Sequence, residues 1–143
     1  FISIILISIA CEKNLVYVKN STIWNYVYDK DRLELLDSVP ITVNGIVKKV
    51  VKSEDGDELV YVSTKQDSLL NNINNVFTGN CLLLEIICVN TVYKKYVNGA
   101  CDYYTNTIYV PSTDDTIEVT GYWVHDKHHD WNEIHPVLKI IKK

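Results

Sequence analysis

The chain has 143 residues, a formal net charge of −4 and a hydrophobic content of 47%. This length fits one domain with a single buried core, and five glycines and three prolines are too few for a low-complexity chain. The acidic balance argues against general nucleic-acid binding, because such binding needs a basic surface that displaces counterions from phosphates. Ten tyrosines and three tryptophans, with many Val, Ile and Thr residues, favour strands over helices.

The sequence opens with an uncharged apolar run, residues 1–10, which is followed by Cys11. The run is too short to span a bilayer as a helix, which needs about 20 apolar residues. It is typical of the remnant of a secretory signal peptide, and the four residues that end at Cys11 resemble a bacterial lipobox. We therefore predict a signal remnant at 1–10, a tether lipidated at Cys11 over 11–38, and a folded domain over 39–143. The alternative is that the apolar run forms a buried strand.

The segment from residue 40 onward is rich in strand signals. Residues 41–51 and 58–63 alternate on either side of an acidic Asp-Gly turn, which predicts a hairpin. Apolar residues recur at helical spacing over 67–77, so a short helix is expected there. The nearly continuous apolar run at 81–89 is typical of a strand buried on both faces. Further strands are predicted at 107–110, 116–124 and 133–141.

Glycines inside two of these strands indicate the architecture. Gly45 and Gly121 suggest bulges or bends, as in strands that coil around a small barrel. We predict an all-β fold with one short helix, arranged as a small OB-like β-barrel. A β-sandwich is the second possibility.

The cysteines other than Cys11 predict one disulfide bond. Cys81 and Cys88 lie seven apart in one predicted strand, so they point to opposite faces and cannot pair with each other. A bridge between Cys88 and Cys101 would close a loop of roughly a dozen residues and contribute about 3 kcal/mol in the chain-entropy model. We predict this bridge and leave Cys81 as a buried free thiol.

All four histidines lie within residues 120–137. His125 and His129 are four apart, as in the helical zinc motif of metallopeptidases, but a β-branched strand leads into them and Pro136 follows. A long helix is therefore not expected. A non-helical metal site remains open. It would use some of His125, His128, His129, Glu133 and His135, with His125, His129 and His135 as the first candidates.

Two other interpretations of this stretch do not need a metal. His135 could act as a general base with Glu133 or Asp130, although no nucleophile motif accompanies them. The favoured interpretation is structural, because Glu133 and His135 lie two apart on a strand and share a face. A buried Glu–His pair beside Trp131 would then hold the loop to the closing strand.

The same stretch resembles the C-terminal motif of uncharacterised bacterial secreted proteins and lipoproteins. That motif consists of Val-Thr-Gly, a strand, and Asp-x-x-His-Gly-Trp-x-Glu-Ile-His-Pro-Val. The matching residues are Val119, Thr120, Gly121, Asp126, His129, Trp131, Glu133, Ile134, His135 and Pro136. Asp130 stands where those proteins have Gly. The resemblance extends loosely over 40–141, and it implies an OB-like domain without implying a reaction.

The expected function is an exported, lipid-anchored binding or accessory module at the bacterial cell envelope, on the periplasmic or cell-surface side. Its partners would be the membrane, through the anchor, and a carbohydrate, peptide or protein rather than nucleic acid. The predicted ligand-contacting residues are Tyr109, Tyr122, Trp123 and Trp131, with Tyr61, Tyr103 and Tyr104 as further candidates. The alternative is a metal-dependent hydrolase or nuclease that uses Asp126, His129, Glu133 and His135. No cofactor is implied apart from the divalent metal that this alternative requires.

Overall fold

The computed structural model describes residues 31–90 and 106–143. The predicted signal remnant, the lipidation residue Cys11, Cys101, Tyr103 and Tyr104 all lie outside these ranges. The described strands are β1 (Leu33–Leu35), β2 (Ile41–Lys52), β3 (Glu58–Thr64), β4 (Leu82–Ile86), β5 (Thr116–Asp126) and β6 (Trp131–Lys142). Between β3 and β4 lie a 3-10 turn (Asp67–Leu69) and the helix α1 (Asn72–Phe77).

Strands β2 to β6 close into a five-stranded barrel. Strand β2 pairs antiparallel with both β3 and β5, β3 pairs antiparallel with β4, and β6 pairs antiparallel with β5. The remaining pair, β4 with β6, is parallel. This arrangement confirms the predicted all-β class and the small OB-like barrel. Strand β1 adds to the edge of β5 and lies within the segment that the sequence predicted as a tether.

The two predicted strand glycines sit where neighbouring strands approach each other closely. A Cβ atom at Gly121 would overlap the side chain of Ile134 and the carbonyl oxygen of Pro136. One at Gly45 would overlap the Val62 side chain and the backbone of Ser63. The β5–β6 register also shifts on both sides of Gly121, as expected for a bulge that lets a strand bend around a barrel.

The barrel interior is filled by aliphatic side chains that alternate along the strands. On β6, for example, Ile134 belongs to the core, whereas its neighbours Glu133 and His135 do not. Glu133 and His135 therefore lie on the outer face of the barrel. The buried core consists of Val43, Val47, Val60, Val62, Leu69, Leu82, Leu84, Ile86, Ile117, Val119, Ile134, Val137 and Ile140.

The predicted helix over 67–77 is interrupted. Its first part forms only the 3-10 turn, and α1 starts at Asn72, after Asn71 caps it by accepting hydrogen bonds from two backbone amides. Asn74 then uses its side-chain amide to bond both the N–H and the C=O of Asn132, each at 2.9 Å. The asparagines weaken the helix but attach it to β6.

The strand predicted at 107–110 is absent, because residues 106–115 contain no strand. Asn106 donates its backbone N–H to the carbonyl of Cys88, and its side chain accepts a hydrogen bond from the N–H of Ile108 at 3.0 Å. This local bond uses a backbone donor that a sheet ladder would need. The turn at Asn106 therefore prevents the strand that the β-branched residues predicted.

Candidate functional site

Polar side chains from four parts of the chain meet on the outer face of the barrel. Glu85 comes from β4, Glu133 and His135 from β6, and Asp126 from the end of β5, while Arg32 directly precedes β1. Together with His129 and Trp131, these side chains form a cluster that we call the polar ring: Arg32, Glu85, Asp126, His129, Trp131, Glu133 and His135. Four of its members are almost inaccessible to solvent although they point away from the barrel interior, namely Glu85, Asp126, Glu133 and His135.

His135 forms one half of the ring. Its Nδ1 lies within hydrogen-bond reach of both carboxylates, of Glu85 and, at 3.1 Å, of Glu133. Glu133 accepts a second hydrogen bond from the indole N–H of Trp131 at 2.8 Å. The pairing of Glu133 with His135 beside Trp131 is the arrangement that the two-residue spacing predicted.

Arg32 and Asp126 form the other half. The guanidinium of Arg32 donates two hydrogen bonds to Asp126, at 2.9 and 3.0 Å, and lies 3.6 Å from Glu85. Asp126 also accepts a 2.8 Å hydrogen bond from Nδ1 of His129. The imidazole of His129 stacks on Trp131 with ring centroids 4.4 Å apart, and this contact closes the ring.

Burial and the charges within the ring raise the pKa of some of its members and lower the pKa of others. Burial alone raises the pKa of Glu85, but the charge and hydrogen bond of His135, with Arg32, outweigh it and lower the pKa to about 2. Burial lowers the pKa of His135, yet Glu85 and Glu133 raise it to about 10. Burial and the charge of Glu85 raise the pKa of Glu133. A charged His135 and Arg32 therefore face the carboxylates at neutral pH, which reduces the cost of burying them.

Two further carboxyl groups respond to the same charges. Burial, followed by the charges of Glu85 and Asp55, raises the pKa of Asp57 to about 8. Asp57 nevertheless accepts a hydrogen bond from the backbone N–H of Cys88 at 2.8 Å. Burial raises the pKa of Asp126, but its bonds from His129 and Arg32 produce a net lowering. A protonated Asp57 therefore lies beside the ionised Glu85 of the ring at neutral pH.

The loop after β5 carries the exposed part of this site. Asp130 has φ 61, in the left-handed region that favours glycine, and its N–H donates to the carbonyl of Asp126 at 2.7 Å. The turn is therefore tight although residue 130 is not a glycine. The side chain of His129 is 50% exposed, whereas that of Asp126 is inaccessible. Asp126 and His129 form a carboxylate–imidazole pair with the imidazole at the surface.

The structure does not gather the three histidines that were predicted as metal ligands. Within the described ranges, two groups of side chains bring three potential ligand atoms together: Glu85, Glu133 and His135, and Asp55, Asp57 and Glu85. Neither group contains His125 or His129. His125 instead contacts Asn132 through Nδ1 at 3.2 Å and Asp130 through Nε2 at 3.3 Å.

The predicted ligand-contacting aromatics are also dispersed. Trp123 packs against the core and donates its indole N–H to the carbonyl of Leu69 at 3.2 Å. Trp131 belongs to the polar ring, and Tyr122 is half-buried. Tyr109 is exposed and donates its hydroxyl to Asp115 at 2.7 Å. These four side chains do not form one stacking surface.

An open groove lies on the outer face of β2 and β3, beside the segment between α1 and β4. Its volume is about 530 Å³. We call it the β2–β3 groove; its described lining includes Lys48, Lys49, Tyr61, Ser63, Phe77 and Asn80. In OB folds, ligands commonly bind on the face of the second and third barrel strands, which here are β3 and β4, so the groove shares β3 and the segment before β4 with that face. Tyr61 was the only one of these residues that the sequence suggested.

Some site residues that the sequence analysis did not predict nevertheless had a recognisable pattern in the sequence. Glu85 is the lone charge in a run of apolar residues, and an isolated carboxylate in a buried strand needs a partner. Lys48 and Lys49 break the alternation of β2, which indicates a bulge. Arg32 gave no such signal, because its role depends on a contact with Asp126 that is 94 residues away.

In the part of the chain that the structure describes, no helix is both long and apolar enough to cross a membrane. No known protein family and no curated protein matches the sequence.

Proposed function

We propose that this chain is a ligand-binding module, exported and lipid-anchored at the bacterial cell envelope, whose ligand occupies the β2–β3 groove. One observation carries the binding role: Phe77, 71% exposed, borders an open cavity of about 530 Å³ on the outer face of the barrel, beside the second barrel strand β3. The volume lies in the range of small-ligand sites, roughly 300–1,000 Å³. Export and anchoring are supported by the apolar run that ends before Cys11.

The polar ring supports binding over catalysis. Its carboxylates and His135 are inaccessible to solvent and bond to one another, so a substrate cannot reach them without opening the cluster. Trp131 and Arg32 occupy further acceptor positions on Glu133 and Asp126. Carboxylates that are satisfied in this way stabilise a surface better than they transfer protons, although Nε2 of His135 is buried and has no hydrogen-bond partner among the described residues.

The test of the binding role is an NMR titration of the isotope-labelled protein against a panel of saccharides and short peptides. We expect shifts of backbone signals to cluster on residues 48–63 and 77–81, and to be lost in a Phe77→Ser variant. Tyr109→Ser is the matched control, because Tyr109 is an exposed aromatic outside the groove. Shifts centred on 127–131, or losses that are equal in both variants, would refute the groove as the site.

A second candidate function rests on the Asp126–His129 pair. A buried carboxylate that orients a half-exposed imidazole is the arrangement of a general base, and it would suit a hydrolase or nuclease. If this function is correct, His129→Gln abolishes a hydrolytic activity while the chain remains folded. The binding proposal instead predicts that His129→Gln leaves ligand shifts in the groove unchanged.

The anchor is tested separately in bacterial cells. Labelled palmitate should be incorporated into the wild-type protein and should be absent from the Cys11→Ser variant. A Cys81→Ser variant, which changes a buried free thiol, serves as the control and should retain the label. An unlabelled, soluble wild type would refute lipidation without affecting the proposed groove.

A further inference from the structure

We infer that the β2–β3 groove selects an acidic saccharide, in which a sugar ring carries a negatively charged group such as a carboxylate. This inference rests on the proposed binding function and adds the chemical class of the ligand. It is carried by the convergence of two lysines, two aromatic rings and neutral polar groups in one open cavity.

The two lysines are consecutive in sequence, yet both line the groove. In a regular strand, consecutive side chains point to opposite faces. Here the β2–β3 register shifts between Val47 and Lys49, so that the bulge at this point accommodates an extra residue. The bulge keeps Val47 in the core while Lys48 and Lys49 both reach the outer face.

Within the part of the chain that the structure describes, these lysines are not paired with carboxylates. Over residues 31–90 and 106–143, Arg32, Lys142 and Lys143 each form an ion pair with an acidic side chain, whereas no ion pair involves Lys48 or Lys49. The protein as a whole has a net charge of −4. Moreover, none of the described residues that line the groove is acidic. The groove is therefore a local positive region on an acidic protein, which favours an anion there.

The aromatic residues supply the walls that a ring requires. The ammonium group of Lys49 lies 5.3 Å from the centroid of the Tyr61 ring, so a cation–π contact holds it at the groove wall. Phe77 presents its ring at the groove with 71% of its surface exposed. Ser63 and Asn80 add hydroxyl and amide groups that can bond sugar hydroxyls.

The size and charge of the groove favour a small acidic sugar over a polyanion as its ligand. A nucleic acid needs many cationic contacts along its backbone, and its charge would be repelled by the rest of this acidic surface. Two lysines can pair with two of the carboxylates of a short acidic saccharide. A short acidic saccharide satisfies the charge, the aromatic walls and the volume of about 530 Å³ together.

The experiment is an NMR titration with trigalacturonate. Maltotriose serves as the neutral saccharide, and inorganic sulfate serves as an anion that has no sugar ring. We expect trigalacturonate to shift the signals of groove residues, and to bind at least about tenfold more tightly than either other probe. Binding should weaken when the salt concentration rises from about 50 to about 300 mM, because the charges become screened.

A pair of double variants isolates the lysines. Lys48→Gln with Lys49→Gln should weaken trigalacturonate binding about tenfold, whereas Lys52→Gln with Lys139→Gln removes the same charge from exposed positions elsewhere and should leave it unchanged. Both variants must keep the wild-type spectrum outside the changed positions.

The outcomes separate this inference from the proposed function. Equal binding of maltotriose and trigalacturonate in the groove would refute charge selection but retain the binding module. Equal binding of sulfate and trigalacturonate would refute the sugar ring as the recognised group. If a folded protein showed no groove shifts with any saccharide or peptide, the proposed function and this inference would both be refuted.

Discussion

Asp126 and His129 are joined by a hydrogen bond of 2.8 Å that connects the buried part of the polar ring to the protein surface. Asp126 is inaccessible and also accepts two hydrogen bonds from Arg32, whereas half of His129 faces solvent. Because the same loop starts at Asp126 and returns at Trp131, the ring fixes both ends of the loop. The ring, the loop and the closing strands therefore behave as one structural unit.

The first prediction concerns the loss of the ring's buried cation. His135→Ala leaves Glu85 and Glu133 buried without their shared partner, and breaking a buried pair in this way costs about 3–5 kcal/mol. Urea denaturation followed by circular dichroism measures the free energy of unfolding. His128→Ala is the control, because His128 is exposed and should have almost no effect. Equal, small losses in both variants would show that the ring contributes little to stability.

Metal analysis of the same protein tests the enzymatic alternative. The ring already holds two cationic side chains against its carboxylates, so we expect no stoichiometric metal in purified wild type. The His129→Ala, His135→Ala double variant should lose stability rather than metal. Stoichiometric metal that disappears from a folded double variant would instead favour the metal-dependent hydrolase.

The second prediction is a loss of stability above neutral pH. The folded state raises the pKa of His135 from 6.5 to about 10 and that of Asp57 from 3.8 to about 8. Between pH 6.5 and 8 it therefore binds more protons than the unfolded state, and the free energy of unfolding must fall as pH rises. Glu85 has the opposite pH dependence, because its pKa is lower in the folded state. Its contribution to the free energy of unfolding is lost only as the pH falls from 4.5 to about 2.

Asp57→Asn tests this pH dependence. The asparagine keeps an acceptor for the N–H of Cys88 but cannot ionise, so the decline between pH 6.5 and 8 should become shallower. Asp114→Asn, at an exposed loop position, should retain the wild-type slope. A stability that is flat or rises over this range in wild type would contradict the assigned protonation.

The third prediction concerns the turn at Asp130. Its φ of 61 is accessible to glycine without a steric cost, so Asp130→Gly should raise the free energy of unfolding by up to about 1 kcal/mol. Asp130→Ala should lower it, because alanine keeps the steric cost of a Cβ but lacks the local polar contacts by which aspartate tolerates the left-handed region. Asp114, with φ 70, should respond in the same way to both changes. Destabilisation by Asp130→Gly would show that the His125–Asp130 contact outweighs the backbone strain.

The fourth prediction concerns the closure of the barrel. Gly121→Ala forces a Cβ against Ile134 and the backbone of Pro136, and overpacking of this kind costs about 1–3 kcal/mol. Thermal and urea denaturation measure the loss. Lys139→Ala, an exposed substitution on the adjacent strand, should leave stability within about 0.5 kcal/mol of wild type. Equal stabilities of the two variants would mean that the strands can separate locally at no cost.

The fifth prediction concerns the cysteines. Cys81 is a buried free thiol, and burial raises its pKa, so it should react with a thiol reagent only after denaturation. Cys88 is buried, and Cys101 lies outside the described residues, so their disulfide bond stays a prediction. Peptide mapping of the exported protein without reductant should recover the two as one linked peptide. Free Cys88 in that map would exclude the bond.

The fold class could be predicted from the sequence because strand formation depends on local patterns. Alternation over 41–51, the Asp-Gly turn and the strand glycines at 45 and 121 together indicated a small barrel. The strand predicted at 107–110 failed because Asn106 forms a local turn that composition does not reveal. The helix broke at Asn71 for a similar reason, since an asparagine side chain caps the new start.

The sequence by itself determined most of the barrel strands and the shared face of Glu133 and His135, because each depends on spacing along one segment. Only the tertiary structure decided that His135 faces Glu85 as well as Glu133, and that Arg32 reaches Asp126. It likewise brought Lys48, Lys49, Tyr61 and Phe77 to one groove. These contacts join distant segments, and their geometry follows from how the barrel closes, which no local pattern encodes.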